Sequence, residues 1–574
     1  MGWQNGGTNR RGAGETALRL TLFSRYFHTL RYLRPVQIYG RLWFWLYRPR
    51  ADLRPAPPLR AVAGSWIVLP IGEPSLLGPT TFRFLNQTYT LDRATDWNRP
   101  DWNKLWLYNL HYFDDLNAAR AKERQDWQRA LIGRWIADNL PGHGNGWEPY
   151  PLSLRIVNWI QWAQAGNVLE PTWVHSLAVQ IRFLAQRLEW HLLGNHLLAN
   201  AKALVYAGLF FNGSEAEYWL MTGLRIFTRQ LSEQILSDGG HFERSPMYHA
   251  IILKDMLDLI NLARSYPGQI GKSQAILWCE TASRMLVWLQ AMTHPDGDIA
   301  FFNDAAFGIA PNLVALTDYA RRLGISVPVV ADKNAGLWPV VLLKDSGYAR
   351  LQAGPAVLLV DVSMIGPNYL PGHAHADTLS FELSLFDQRV IVNSGTSCYG
   401  ASPERQRQRG TAAHNTVVIA DQDSSEVWGG FRVARRARPV GLRWGEEASY
   451  CWIECGHDGY QRLSGRPLHI RRWQLAADRL IVQDRLSGGS HRAVAHYHLH
   501  PTIQVELSAD GCSGSFRFFD DFELVFRLAP GPARLIPSTW HPEFGASEAN
   551  ECLEIPFNGS ETSLDILWSD ERRL

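Results

Sequence analysis

The sequence predicts two folded domains of different class, an all-helical one followed by an all-β one. Three observations lead there. At 574 residues the chain is too long for one ordinary hydrophobic core. Apolar residues recur with a helical period from about residue 100 to 325, and with a period near 2 after about residue 340. No long helical stretch interrupts the second half.

Composition narrows the class. With 46% hydrophobic and 20% charged residues, the chain is neither disordered, collagen-like nor a polytopic membrane protein. Lys+Arg 57 against Asp+Glu 55 leaves a net +2, so nothing global draws it to nucleic acid. The 24 Trp, 19 Tyr and 24 Phe imply either unusually aromatic cores or flat apolar faces offered to a ligand, such as a sugar ring. Six cysteines are too few for a disulfide scaffold. Cys451 and Cys455 fall on one face of a strand-like run and read as small apolar residues rather than metal ligands.

Residues 1–70 form a basic, aromatic amino-terminal segment and a proline-rich linker. Positions 1–54 hold ten arginines against Glu15 and Asp52, a net +8. Arginines interrupt every apolar run, so neither a signal-peptide core nor a transmembrane span is expected. The stretch Phe23–Arg34 can lie peripherally on an anionic membrane face. The plainer expectation is a helix whose aromatic face docks onto the following domain while its arginines stay wet. The prolines of 50–70 cannot continue a helix.

Residues 71–335 are the helical domain. Within 126–138, Trp127, Leu131 and Trp135 recur at i, i+4 and i+8. Similar stretches follow at 151–166, 173–190, 196–211, 214–235, 246–265, 273–293 and 311–323. Brief Gly, Pro, Asn and Asp breaks between them suggest stacked helical hairpins, as in a solenoid or an α/α toroid. Residues 336–574 are the β domain, with strands expected at 356–363, 379–386, 389–393, 415–419 and 480–486. They suggest an antiparallel sandwich or layered sheet. A cleft between two such domains is a natural ligand site.

Four segments concentrate polar residues that are costly to bury unpartnered. Gly146–Trp159 contains Trp147, and places Arg155 and Asn158 on one helix face. Gly194-Asn195-His196 opens an apolar helix, where the pair either caps it or donates to a substrate carboxylate. Asp238–His249 carries Glu243 and Arg244, then Pro246 at a helix start with Tyr248 in the first turn. The fourth segment joins Gly372-His373-Ala-His375-Ala-Asp377 to Asn393, to Arg405, Arg407 and Arg409, and to His414. His373 and His375 share a face if extended, and His414 can supply a third nitrogen to a metal; a hydrogen-bonded histidine cluster is the alternative. The arginine series reads as a solvated loop, with a clamp for further carboxylates or sulfates as the alternative.

At these motifs the chain resembles the heparinase II/III-like polysaccharide lyases over roughly 80–560. The motifs occur in the expected order: Trp-Glu-Pro-Tyr-Pro-x-Ser-x-Arg-x-x-Asn (147–158), Asn-His (195–196), Glu-Arg-Ser-Pro-Met-Tyr (243–248), Gly-His-x-His-x-Asp (372–377) and His-Asn-Thr (414–416). The resemblance implies an incomplete α/α toroid followed by an antiparallel β-sheet domain. It implies catalytic roles for Asn195, Tyr248 and His373, with His196, Arg155, Glu243, Arg244 and Trp147 available to bind substrate. It also implies a structural metal, zinc or calcium, in the β domain, held by His375, His414 and position 393. Position 393 is Asn where a carboxylate is usual, and a neutral carbonyl brings no charge to a zinc ion. No organic cofactor is expected.

The implied reaction is β-elimination on a uronate-containing glycan. The C5 proton, α to a carboxylate, leaves to a base, and the C4 oxygen departs with an acid's help. Since a carboxylate resists further negative charge, the site must neutralise it, and Asn195 can donate. His373, with a reference pKa near 6.5, suits base work. Tyr248 can donate to the leaving oxygen, or serve as both base and acid if both atoms lie on one side; substrate stereochemistry decides which residue takes which proton. The runner-up is an α/α-toroid glycoside hydrolase, for which Glu148, Asp238, Glu243 and Asp304 are the available acids. A third reading is a non-catalytic glycan-binding protein of exopolysaccharide assembly. The resemblance points to a bacterial periplasm or cell envelope; the lack of a visible signal peptide leaves the cytoplasm as the alternative.

Overall fold

The computed structural model describes residues 22–69, 72–327, 340–489, 491–518 and 523–568. Helices run at Gln125–Asp138, Pro149–Gln164, Pro171–Gln186, Gly194–Phe210, Ser214–Gln234, Pro246–Ser265, Lys272–Ala291 and Leu313–Arg322, where the periodicity places them. A further helix, Lys104–Tyr112, precedes them. Pro149, Pro171 and Pro246 each take the first helical position, where a missing N–H costs nothing. In Gly194–Phe210 every residue is buried except His196, so this helix forms the axis of the helical core.

The tryptophan excess is largely spent on packing. Nine Trp, Trp97 to Trp473, are among the largest fully buried side chains. Trp147, expected to meet substrate, is 4% exposed and packs edge-on to Phe183 and against Trp135.

All strands of the second half pair antiparallel. Five form one sheet from Val340–Leu343 through Tyr348–Ala353, Ala356–Asp361 and Phe381–Leu385 to Gln388–Ile391. A four-stranded sheet is built from Arg534–Trp540, Glu548–Phe557, Ala493–His498 and Val417–Ile419. An eight-stranded sheet begins with Pro439–Glu446, Tyr450–His457, Leu468–Ala476 and Arg479–Ser487. Residues alternate between buried and less buried along Leu468–Ala476 and Arg479–Ser487, the mark of a sheet with one face on a core. Cys451 and Cys455 are both buried on such a face.

Three segments differ from expectation. Residues 50–69 are an extended strap lying on the helical domain rather than a free linker. Arg60 N–H donates to Phe210 O at 2.8 Å, and the Asn261 amide exchanges hydrogen bonds with both backbone groups of Ile67. A small hairpin, Thr81–Phe84 with Gln87–Thr90, precedes the helices. The arginine series is not a solvated loop: it lies on the helix Pro403–Arg409, with Arg405 and Arg409 fully buried. Seven residues are too few for a helical period to repeat in the sequence.

The amino-terminal segment is helical at 22–30 and Pro35–Leu46, but docks the other way round from the expected one. Gln37 and Gly40 are its buried residues, while Trp43 and Trp45 are 61% and 70% exposed. No described helix is long and apolar enough to cross a membrane. The part of the 1–70 segment before residue 22, and the expected domain join near 335, lie outside the described residues.

Candidate active site

The domains meet through the segment that follows helix Lys272–Ala291. There Asp304 N–H donates to His373 O, and Thr396 N–H to Ala305 O. Arg244, expected to clamp substrate, is instead a strut between the domains. Its guanidinium donates to Ser346 O at 2.8 Å and Met364 O at 3.0 Å.

Tyr248 sits in the first turn of Pro246–Ser265, whose N-cap Ser245 accepts the Tyr248 N–H at 3.1 Å. Its ring lies on that of His373, with centroids 3.9 Å apart. Its hydroxyl is 2.9 Å from that of Tyr399. Burial, reinforced by Tyr399 and Asp304, holds the Tyr248 phenol well above its ordinary pKa, so it carries its proton.

His373 is oriented by a buried charge. Its Nδ1 is 2.8 Å from Asp304 Oδ2, which leaves Nε2 as the free lone pair. Asp304 is fully buried and takes two hydrogen bonds from Arg405, as well as contacts from His375 and Thr396. Burial alone would raise its pKa, yet Arg405 and the two histidines hold it well below the carboxylate range. The sequence offers Arg405 only within an arginine series, as a solvated loop or an anion clamp, Tyr399 without a role, and Asp304 only as a hydrolase acid. Their partners lie 69 to 151 positions away, beyond any local pattern.

Asn195 does not cap its helix. The N-cap is Leu193, at φ 65°, followed by Gly194 at φ 53°. A Cβ at 194 would lie 2.2 Å from Leu370 and 3.1 Å from Glu243 Oε1, so both backbone and space require glycine. This tight entry sets Asn195 beside Glu243, its side-chain amide without a protein partner among the described residues. His196 Nδ1 lies 3.1 Å from Glu189 Oε1, and its ring faces Tyr150 at 4.5 Å. Burial would lower the His196 pKa, but Glu189 and Glu243 outweigh it and raise it. Glu243 is 1% exposed, with Oε2 3.6 Å from His373 Nε2 and no hydrogen bond to either oxygen. Burial raises its pKa.

Tyr248, Tyr399 and Tyr150 line a cavity of about 1710 Å³ that also meets Tyr112, Asn158 and Lys202. Arg155 does not reach it. It is fully buried, stacks on Trp135 at 3.8 Å, and donates to Gln180, His111 O and Gly146 O. Each of its three nitrogens is committed to the protein interior, away from the cavity.

The proposed metal ligands come together only in part. His375 Nδ1 and His414 Nε2 face each other at 3.3 Å. The Asn393 carbonyl oxygen is committed to His414 Nδ1 and to the Asn415 backbone N–H, both at 3.3 Å. Two nitrogens without a carboxylate do not complete a zinc site, and imidazoles are poor calcium ligands. Among the described residues no cluster of three or more His, Cys, Asp or Glu side chains could hold a metal.

The four acids of the hydrolase reading are also placed. Glu148 is tied to Lys104 and Tyr108, Asp238 to Ser346, and Asp304 to Arg405. Only Glu243 is unpaired by hydrogen bonds, and one carboxyl does not make a flanking pair.

Residues 134–320 match the model for the heparinase II/III N-terminus, and residues 335–569 that for the heparinase II/III-like C-terminal domain. FtsZ-localized protein C of Caulobacter vibrioides is 26% identical over 71% of this chain and 70% of its own length. A heparin-sulfate lyase of Bacteroides stercoris is 27% identical over 41% of this chain, but this match spans only 37% of that protein. Among solved structures, heparinase III superposes with a TM-score of 0.67 at 19% identity, covering 84% of this chain and 81% of that one. An incomplete α/α toroid followed by an antiparallel β domain is therefore the fold.

Proposed function

Because the chain belongs to the heparinase II/III family, whose two domain models match most of it, we propose that it is a lyase cleaving a uronate-containing polysaccharide by β-elimination. The observation that carries this reading is the ring contact of His373 with Tyr248, which itself lines the interdomain cavity. Family membership favours it over the hydrolase and the glycan-binding readings.

The chemistry follows from the geometry. The Asn195 amide and a protonated His196 neutralise the uronate carboxylate, which lets negative charge develop at C5. His373 Nε2 takes the C5 proton while Asp304 stabilises the imidazolium through Nδ1. Tyr248, kept protonated by burial, gives its proton to the departing C4 oxygen. Tyr399 holds the Tyr248 hydroxyl and, once the leaving oxygen has taken its proton, relays one back from solvent through the cavity, while the His373 imidazolium releases the C5 proton to solvent. No step requires a metal.

The cavity wall speaks to the substrate. It carries eight acidic and five basic residues, and Lys202 and Lys254 are already paired with Asp255 and Asp258. Such a wall repels a polysulfated chain. The wall therefore favours a sparsely charged, unsulfated uronate glycan, and the family resemblance alone suggests that it is met in the periplasm or cell envelope. Incubation with a panel of acidic polysaccharides tests it. An ultraviolet-absorbing unsaturated uronate should appear with unsulfated polymers. Products from sulfated heparin alone would contradict the substrate class, and saturated products the reaction.

A further inference from the structure

Most surface helices bury their apolar side and wet their polar one. The amino-terminal pair departs from this. Its inward face is narrow and mixed: Gln37 Nε2 donates to Tyr369 O at 3.0 Å, Gly40 and Phe44 pack against His191, Val36 against the helical core and Tyr26 against Trp428, which leaves most of its large apolar side chains outside. Arg34 pairs with Glu233 at 2.5 Å, Trp428 Nε1 donates to Thr29 Oγ1 at 3.2 Å, and Arg187 donates to Phe44 O at 2.7 Å. These bonds tie the first helix to the β domain and the second, with its N-cap Arg34, to both domains. The outward face holds Phe23, Phe27, Ile38, Trp43, Trp45 and Leu46, all between 55% and 72% exposed. An apolar surface of this kind does nothing for folding, and is costly unless something covers it.

The charge on the same segment identifies the cover. Residues 22–50 contain six arginines and no acidic residue, and Arg31, Arg41, Arg48 and Arg50 are exposed. A second copy of this face would bring like charges together, which opposes self-association. Anionic lipid satisfies both features. Tryptophan and tyrosine favour the headgroup boundary, and arginine stems lie along apolar surface while their guanidinium groups meet phosphate.

We propose that the helices at 22–30 and Pro35–Leu46 form a monotopic membrane-binding face, with their aromatic side embedded in an anionic bilayer surface and the rest of the protein held against it. The claim is independent of the reaction.

Full-length protein sedimented with phosphatidylcholine vesicles, with and without phosphatidylglycerol, tests this. Binding should require the anionic lipid, weaken with added salt, and shift tryptophan emission to the blue. Trp43→Ser/Trp45→Ser should lower the bound fraction at least about tenfold while leaving the thermal midpoint unchanged, since both rings are exposed. Arg41→Glu/Arg48→Glu should weaken binding at low salt more than at high salt. Four outcomes would overturn the proposal: no binding to either vesicle, equal binding to both, wild-type binding by the tryptophan variant, or a lipid-free dimer abolished by the same substitutions without vesicle binding.

Discussion

Asp304 Oδ2 lies 2.8 Å from His373 Nδ1, so one buried carboxylate from the helical domain fixes the tautomer of an imidazole carried by the β domain. The same carboxylate reaches His375 Nε2 at 2.8 Å and is clamped by Arg405. The two halves of the site are thus assembled by domain docking rather than within either domain.

Replacing this carboxylate should separate orientation from binding. In Asp304→Asn, kcat should fall by about 100-fold or more while KM changes little, because the base loses its tautomer and the stabiliser of its charged form. Buried Arg405 also loses its counter-charge, at about 3–5 kcal/mol of stability. Steady-state kinetics and denaturant titration measure the two effects. An unchanged kcat would remove Asp304 from the mechanism.

Tyr248→Phe and Tyr399→Phe should differ. The first deletes the proton donor and is expected to cut kcat by about 100-fold or more. The second deletes only the hydroxyl 2.9 Å behind it, with a smaller loss and a shifted pH profile. Equal losses would contradict the assignment of donor and relay.

Arg155 belongs to the core. Arg155→Ala should lower stability by about 3–5 kcal/mol, since it orphans three acceptors and empties the face of Trp135. KM of the remaining folded enzyme should not move. A raised KM with intact stability would restore the substrate role that its motif suggests.

Acid should destabilise the fold through its buried neutral histidines. His111 accepts from Trp135 Nε1–H through Nδ1 and donates to Trp97 O, which locks it neutral. His249 is held similarly between His241 N–H and Met285 O. Burial lowers their folded pKa values to about 3 and about 4. The unfolded chain therefore binds protons first as pH falls below about 6.5, and stability present above that pH is lost down to about pH 4. Denaturation midpoints at neutral pH and at pH 5 compare the two regimes. Equal midpoints would contradict the neutral assignment.

Asn393→Asp returns a carboxylate to the pocket of His375 and His414. Zinc should raise the melting temperature of this variant and leave the wild-type value unchanged. A fall in the wild-type melting temperature with chelator would show that the two imidazoles already hold a metal.

Periodicity located the long helices because a core-facing stripe repeats over several turns, as Trp127, Leu131 and Trp135 do, with Leu131 and Trp135 fully packed and Trp127 at the edge. It missed Pro403–Arg409, which is too short to repeat, and the strap at 50–69, which is held by backbone bonds to distant residues. Spacing brought Tyr248 and His373 forward as reactive types, but not their supports. Asp304 and Tyr399 are identified only by contacts across the domain boundary. Arg155 shows the converse: a polar motif residue does not declare whether it faces inward or toward a ligand. Its three backbone and side-chain acceptors decide that.

The most direct test of the mechanism is the rate at which wild-type protein and His373→Ala release a conjugated, ultraviolet-absorbing uronate from the same unsulfated glycan. The site described predicts steady release by the wild type and a loss of about 100-fold or more in the variant, with its melting curve preserved. Cleavage that continues at the wild-type rate in His373→Ala, or that yields only saturated ends, would contradict it.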